Sequence, residues 1–161
     1  MDPLPAASVI PVRRPARFVT AEILLYWNGG EPFATHYMNA LSSVFPDGEA
    51  FFVRSVLHYR DRIDDPELLR AIQGFAGQES QHRAQHDHHL DLLIGAQRYT
   101  ALARLNRMAD AGMRFGNRHC PKFSLASTAA VEHLTALLAR RILSDPGFTA
   151  AMDPRMAELW K

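Results

Sequence analysis

The sequence predicts an all-α protein, and three observations support that prediction. Apolar residues recur at spacings of three and four, whereas the sustained apolar/polar alternation of a half-buried strand is missing from the sequence. Prolines and small polar residues divide the periodic segments. A length of 161 residues and a hydrophobic content of 47% suit one packed domain.

Capping and helix-breaking residues predict where the helices begin and end. Pro32 and Pro66 stand where first helical turns begin, and Phe45-Pro46 is expected to stop the first helix so that Asp47 caps the next one. The predicted helices cover residues 31–43, 47–63, 66–93, 97–115 and, from a cap at 124 or 127, the segment that ends at 143. A short last helix starts at Pro154.

The first 17 residues are predicted to form a proline-rich arm, followed by a single helical metal-binding domain at 18–161. The arm contains four of the ten prolines and lacks the continuous apolar region of a signal peptide. Its arginines, Arg13, Arg14 and Arg17, are interpreted as solvated rather than as phosphate ligands.

Charge and cysteine content argue against several classes of protein. Lys plus Arg number 18 and Asp plus Glu number 17, so the net charge of +1 gives no field that would attract nucleic acid. Cys120 is the one cysteine and cannot form an internal disulfide. No apolar run reaches the roughly 18 residues of a membrane span. These observations favour a cytoplasmic protein.

Metal-ligand side chains interrupt the apolar stripe of the predicted helix at 66–93. In a helix, Glu79 and His82 lie about 60° and about 4.5 Å apart, close enough to reach one point. A carboxylate on a core face needs a countercharge, which a metal ion supplies with few residues. The stripe consists of Leu68, Ile72, Phe75, Glu79, His82, His86, Leu90 and Leu93.

Two other predicted helices place a carboxylate among apolar residues. Glu49 shares a stripe with Phe45, Phe52 and Val56, and Glu132 is the one carboxylate of a helix that should be central in the bundle because it is apolar almost all round. Oxygen and imidazole ligands together suit iron, manganese or zinc better than calcium or magnesium. Inward-facing glutamates and a Glu-x-x-His on separate helices are typical of ferritin-like dimetal bundles.

Three segments, SSVFPDGEAFFVRSV, GQESQHRAQH and AVEHLTALL, together resemble the family of predicted metal-dependent hydrolases with a ferritin-like helical core. The resemblance extends from about Ala40 to the C-terminus. It implies a four-helix-bundle fold with metal ligands at Glu49, Glu79, His82 and Glu132. It also implies that His86 and His133 bind or support the metal.

The resemblance further implies that the last core helix is incomplete. In the family, the helix that opens near MAELW continues into another Glu-plus-His segment, whereas this sequence ends at Lys161. We therefore expect an apolar groove that a homodimer or a partner chain covers. His88 and His89, near the end of the long helix, are expected to be solvated.

The expected function is that of a metal-dependent hydrolase acting on a small molecule that the sequence does not name. The divalent metal is expected to be iron, as a di-iron pair, or manganese, with zinc as a further candidate. One alternative is a di-iron oxidase or oxygenase with the same ligands. Another is a non-catalytic, truncated helical subunit. The sequence names no catalytic residue and contains no fingerprint for a nucleotide or a phosphate.

Overall fold

A computed structural model describes residues 23–95 and 97–160 and confirms the all-α prediction. Its elements are α1 (Pro32–Leu57), a 3-10 turn (Arg60–Arg62), α2 (Pro66–Gly95), α3 (Thr100–His119), α4 (Pro121–Leu143), α5 (Pro146–Ala151) and α6 (Pro154–Leu159). The only β-type pairing within these ranges is an isolated bridge between Asn28 and Met152. The predicted arm at 1–17 lies outside the described residues.

The central helix is α1, which packs against α2, α3 and α4. Its buried face is made largely of small or polar side chains, which allow neighbouring helices to approach closely: Thr35, Met38, Asn39, Ser42, Ser43, Pro46, Glu49, Ala50, Phe52 and Ser55. Four long helices, α1 and the three that pack against it, are compatible with the predicted four-helix bundle. None of the helices in the described part of the chain has the length and apolar character that a membrane crossing requires.

The predicted break at Phe45-Pro46 is wrong, because α1 continues through Pro46. Proline has no N–H to donate to the carbonyl of Ser42 one turn earlier, and this loss costs a free helix about 3 kcal/mol. Pro46 is buried in α1, which packs against three other helices, so tertiary packing stabilises the helix against that loss. The continuous helix places Ser42 and Glu49 on one face, two turns apart.

The prediction that α4 is central is also wrong. Of its residues, Ser124 and Thr128 are buried, and the Thr128 hydroxyl lies 2.7 Å from the Ser55 hydroxyl of α1. Leucines such as Leu134 and Leu137 are instead more than half exposed. Hydroxyl contacts and small side chains, rather than the apolar residues, therefore decide which face of α4 meets α1.

Residues near both ends of the described chain pack with a residue of α1 in one apolar cluster. The cluster consists of Trp27, Met38, Met152, Met156 and Leu159. The Trp27 indole N–H donates to Asn39 Oδ1 at 2.9 Å, which ties this cluster to α1. The carboxylate of Asp153 accepts a hydrogen bond from the Arg155 N–H at 2.9 Å and so caps α6. The short C-terminal helix is thus held by burial and a cap.

Shortening Met156 should destabilise the protein because the side chain is fully buried in this cluster. We expect Met156→Ala to lower the free energy of unfolding by about 2–5 kcal/mol. Met108→Ala is the matched control, because Met108 is 64% exposed, and it should have little effect. Denaturant unfolding measures both. Equal effects would show that α6 does not dock as described.

Candidate metal centre

Glu49, His82 and His86 come together where α1 packs against α2. Each of these residues offers one ligand atom, and the three atoms lie within 4.8 Å of one another. His82 and His86 are one turn apart on α2, so both rings lie over the same part of α1. Nδ1 of His82 lies 2.8 Å from Oε1 of Glu49. Nε2 of His82 lies 3.2 Å from Nε2 of His86.

The carboxylate of Glu49 is buried between α1 and α2. Oε2 has no hydrogen-bond donor among the described residues, and Oε1 faces Nδ1 of His82 at 2.8 Å. Burial raises the pKa of Glu49 more than the contact with His82 lowers it. A buried carboxylate oxygen without a donor is a group that a bound cation would satisfy.

The distance between the two histidines also fits a cation. Two imidazole nitrogens that each lie about 2.0–2.1 Å from one ion, at angles between octahedral and tetrahedral, are about 2.8–3.4 Å apart. The observed 3.2 Å between the Nε2 atoms of His82 and His86 falls in that interval. The residues present therefore fit a divalent metal.

Glu79 and Glu132 lie beside this group and line the same cavity as Glu49 and His82. Burial, together with the charges of Glu132 and Glu49, raises the pKa of Glu79 to about 7. Burial and the charge of Glu49 raise the pKa of Glu132. Three carboxyl groups thus repel one another in a region with too little positive charge.

The two histidines differ in their electrostatic surroundings. Burial, followed by the charges of His82 and His89, lowers the pKa of His86 to about 2, so this ring is neutral. For His82, burial acts to lower the pKa, but the contact with Glu49 and the three carboxylate charges outweigh it and raise the pKa. A neutral imidazole is the form that binds a metal.

Aromatic side chains surround the ring of His86. Phe45 of α1 lies with its ring centroid 4.7 Å away, and the indole of Trp160 lies 5.4 Å away. Trp160 also helps to line the cavity of about 360 Å³ that contains Glu49, Glu79, His82 and Glu132. The rest of the lining is mainly apolar, so the carboxylates occupy the polar part of a largely apolar space.

The structure brings Glu49, His82 and His86 together, with Glu79 and Glu132 beside them along the cavity. His133 is exposed on α4 and is not among the clustered residues. The expectation that His89 is solvated is wrong, because its side chain is fully buried, whereas His88 is exposed as expected. His89 follows His86 by three residues, so its helical spacing could have placed it on the buried stripe.

The sequence analysis did not identify Ser42, a buried residue that contacts this group. The hydroxyl of Ser42 lies 2.7 Å from Nδ1 of His86 and 2.7 Å from Nδ1 of His89. A serine within a helix carries no pattern that points to such a contact. The distance between Ser42 and His86, 44 residues along the chain, explains why spacing within one helix could not reveal it.

Replacing Glu79 should change the pH dependence of stability in the metal-free protein. Because the folded-state pKa of about 7 exceeds the unfolded value of 4.5, the free energy of unfolding should fall as pH rises between these values, by at most about 3 kcal/mol. Glu79→Gln should remove the decrease in the free energy of unfolding that Glu79 causes. Glu31→Gln, at an exposed position, should retain that decrease. Thermal melts with a chelator at pH 5 and pH 8 measure this. Parallel curves for all three proteins would contradict it.

Comparison with known proteins identifies the family. The sequence model of the family described as "predicted metal-dependent hydrolase" matches residues 12–161. No curated protein and no solved structure matches the chain. The match covers nearly all of the sequence and includes every residue of the cluster described above. The chain therefore belongs to the family of predicted metal-dependent hydrolases.

Proposed function

We propose that the chain is a hydrolase that holds a divalent metal with Glu49, His82 and His86, and that Glu79 and Glu132 supply further carboxylate ligands. The observation that carries the proposal is the convergence of the three ligand atoms within 4.8 Å, one of them from a carboxylate that is buried with Oε2 lacking a hydrogen-bond donor. The family match gives independent support for metal-dependent hydrolysis. No other cluster of three metal-ligand side chains is found in residues 23–95 and 97–160.

The residues of the site would perform separate tasks. Glu49 would provide negative charge from a position where it is shielded from water, since its side chain is 3% exposed. His86 would present a neutral nitrogen, which its burial favours. When bound, the metal would act as a Lewis acid toward a water molecule and toward the carbonyl or phosphoryl oxygen of a substrate. Glu79 and Glu132 would balance the charge of the cation.

The cavity beside these residues would hold a small-molecule substrate. Its volume of about 360 Å³ is within the range of roughly 300–1,000 Å³ typical of ligand pockets. Apolar side chains from α1 and α4, among them Phe52, Val131 and Ile142, form much of its wall. Such a wall would exclude water from the reacting groups and strengthen their electrostatic interactions.

The ligand types favour iron or manganese, with zinc as a third candidate. Three carboxylates and two imidazoles are a mixed oxygen and nitrogen set, which these metals accept and which calcium and magnesium do not prefer. Cysteine takes no part, because Cys120 is exposed at the start of α4. A structural zinc site of the cysteine type is therefore not the proposal.

A second candidate function is that of a di-iron oxidase or oxygenase. The observation that favours it is the proximity of three carboxyl groups. Burial and then the charges of Glu132 and Glu49 raise the pKa of Glu79, and burial and then the charge of Glu49 raise the pKa of Glu132. Carboxylate-rich sets of this kind hold pairs of iron ions in ferritin-like proteins. Dependence on oxygen distinguishes this candidate from the hydrolase.

His82→Ala should lose bound metal, because the variant removes one of the three converging ligands. The chain, purified without a histidine tag, should contain iron, manganese or zinc at near-stoichiometric levels by mass spectrometry. His88→Ala removes an exposed histidine of the same helix and is the matched control. Equal metal content in both variants, or metal in none of the three proteins after reconstitution, would contradict the proposed site.

The metal-loaded protein should cleave ester or phosphodiester substrates without oxygen, and a chelator should abolish the cleavage. His82→Ala should lose this activity, whereas His88→Ala should keep it. Turnover that requires reduced iron and oxygen, with no cleavage under anaerobic conditions, would replace the hydrolase proposal by the oxidase.

A further inference from the structure

A buried chain of polar side chains leads from the candidate metal site into the protein interior. Ser42, on α1, lies between two histidines of α2, with its Oγ 2.7 Å from Nδ1 of both His86 and His89. All three side chains are fully buried. The other nitrogen of His86, Nε2, faces His82 at 3.2 Å. Nε2 is therefore the His86 atom on the side of the candidate metal site.

The hydrogen-bonding capacity of a hydroxyl limits the protonation of both rings. Ser42 has one proton to donate and oxygen lone pairs with which to accept. All three groups are satisfied when one histidine donates its Nδ1–H to Oγ and the other accepts the hydroxyl proton at its own Nδ1. In either arrangement one of the two Nδ1 atoms carries the proton that Oγ accepts, and the other carries none.

Metal binding would favour one of the two arrangements of protons among Ser42, His86 and His89. For Nε2 of His86 to offer a lone pair, the proton of that ring must be on Nδ1, which then donates to Ser42. Ser42 must in turn donate to Nδ1 of His89, and the proton of His89 must be on Nε2. Metal binding at His86 would thus fix the tautomer of His89, although His89 is not one of the three clustered ligands.

We propose that Ser42 is a positioning residue that fixes the tautomer and the orientation of His86 for metal binding, with His89 as the anchored end of the same hydrogen-bond chain. This inference rests on the proposed metal site. Metal-binding histidines generally depend on a hydrogen bond at the second ring nitrogen, and its loss costs about 10–100-fold in affinity. Here the group that provides it is a serine shared with a second histidine.

The surroundings of His89 keep that end of the chain in place. Its ring packs edge-on against the Trp27 indole, with centroids 6.2 Å apart. The indole is held by its hydrogen bond to Asn39, three residues before Ser42 on α1. His89 Nε2 is buried without a hydrogen-bond partner in the described part of the chain. A structural core position would be better filled by an apolar side chain than by a ring with an unsatisfied nitrogen.

The first test is spectroscopic and uses the unsubstituted chain. Long-range ¹H–¹⁵N correlation spectra of the zinc-loaded protein, labelled at its histidines, report which ring nitrogen carries a proton. We expect His86 to be protonated at Nδ1 and bound through Nε2, and His89 to be protonated at Nε2. Coordination of His86 through Nδ1, or a His89 ring protonated at Nδ1, would overturn the proposal.

The second test compares two serines of α1. Ser42→Ala should weaken zinc binding about 10–100-fold in a competition titration against a chromophoric chelator. Ser43→Ala is the matched control, because Ser43 is also buried but its hydroxyl bonds only to the Ala40 carbonyl of its own helix, at 2.8 Å. The control should bind zinc as the parent does. Equal affinity in both variants would overturn the role of Ser42.

Melting temperatures and the histidine spectra distinguish a positioning role from a merely structural one. If Ser42 only supported folding, Ser42→Ala would lower the melting temperature while the remaining folded protein kept the parent tautomers and affinity. A parent chain that binds no zinc would overturn this inference and the proposed site together. A parent that binds zinc through His82, with unchanged binding in Ser42→Ala, would overturn this inference alone.

Discussion

The packing of α1 against α2 determines where all the polar groups of the candidate metal site lie except Glu132, which α4 provides. The contacts run antiparallel: Ser42 meets His86 and His89, and Glu49, two turns later on α1, meets His82, which comes earlier on α2. Small buried side chains on α1 allow the approach that these contacts require. A shift of one turn between the helices would separate Glu49 from His82 and Ser42 from the two histidines.

The electrostatics of this region would favour a bound cation. Burial raises the pKa values of Glu49, Glu79 and Glu132, and the charge of Glu49 adds to the effect at Glu79 and Glu132. Without a cation the region can reduce this cost by taking up protons. With a cation, the same groups would be ionised and satisfied, so binding would release protons and stabilise the fold.

The sequence was informative where one helix carries the whole pattern. Glu79, His82 and His86 could be placed on one face of α2 because they recur at helical spacing among apolar residues, and Glu49 could be placed on α1 from Phe45 and Phe52; Glu79 and His86 are buried there, whereas His82 is partly exposed. The helix that passes through Pro46 could not be predicted, since only packing by neighbouring helices stabilises a proline there. The burial of small hydroxyl residues on α4, in preference to leucines, depends on contacts with Ser55 that no single helix encodes. Ser42 could not be predicted for the same reason, because its contacts are with histidines of another helix, α2.

The order of the helices along the chain has a consequence for synthesis. Glu49, His82 and His86 all belong to the single helical hairpin formed by α1 and α2, which spans residues 32–95. Since a chain emerges from the ribosome N-terminal end first, this hairpin is complete before α4 delivers Glu132. Four of the candidate ligands, these three and Glu79 of α2, can therefore assemble as a local unit of the nascent polypeptide, and the carboxylate of Glu132 joins them later.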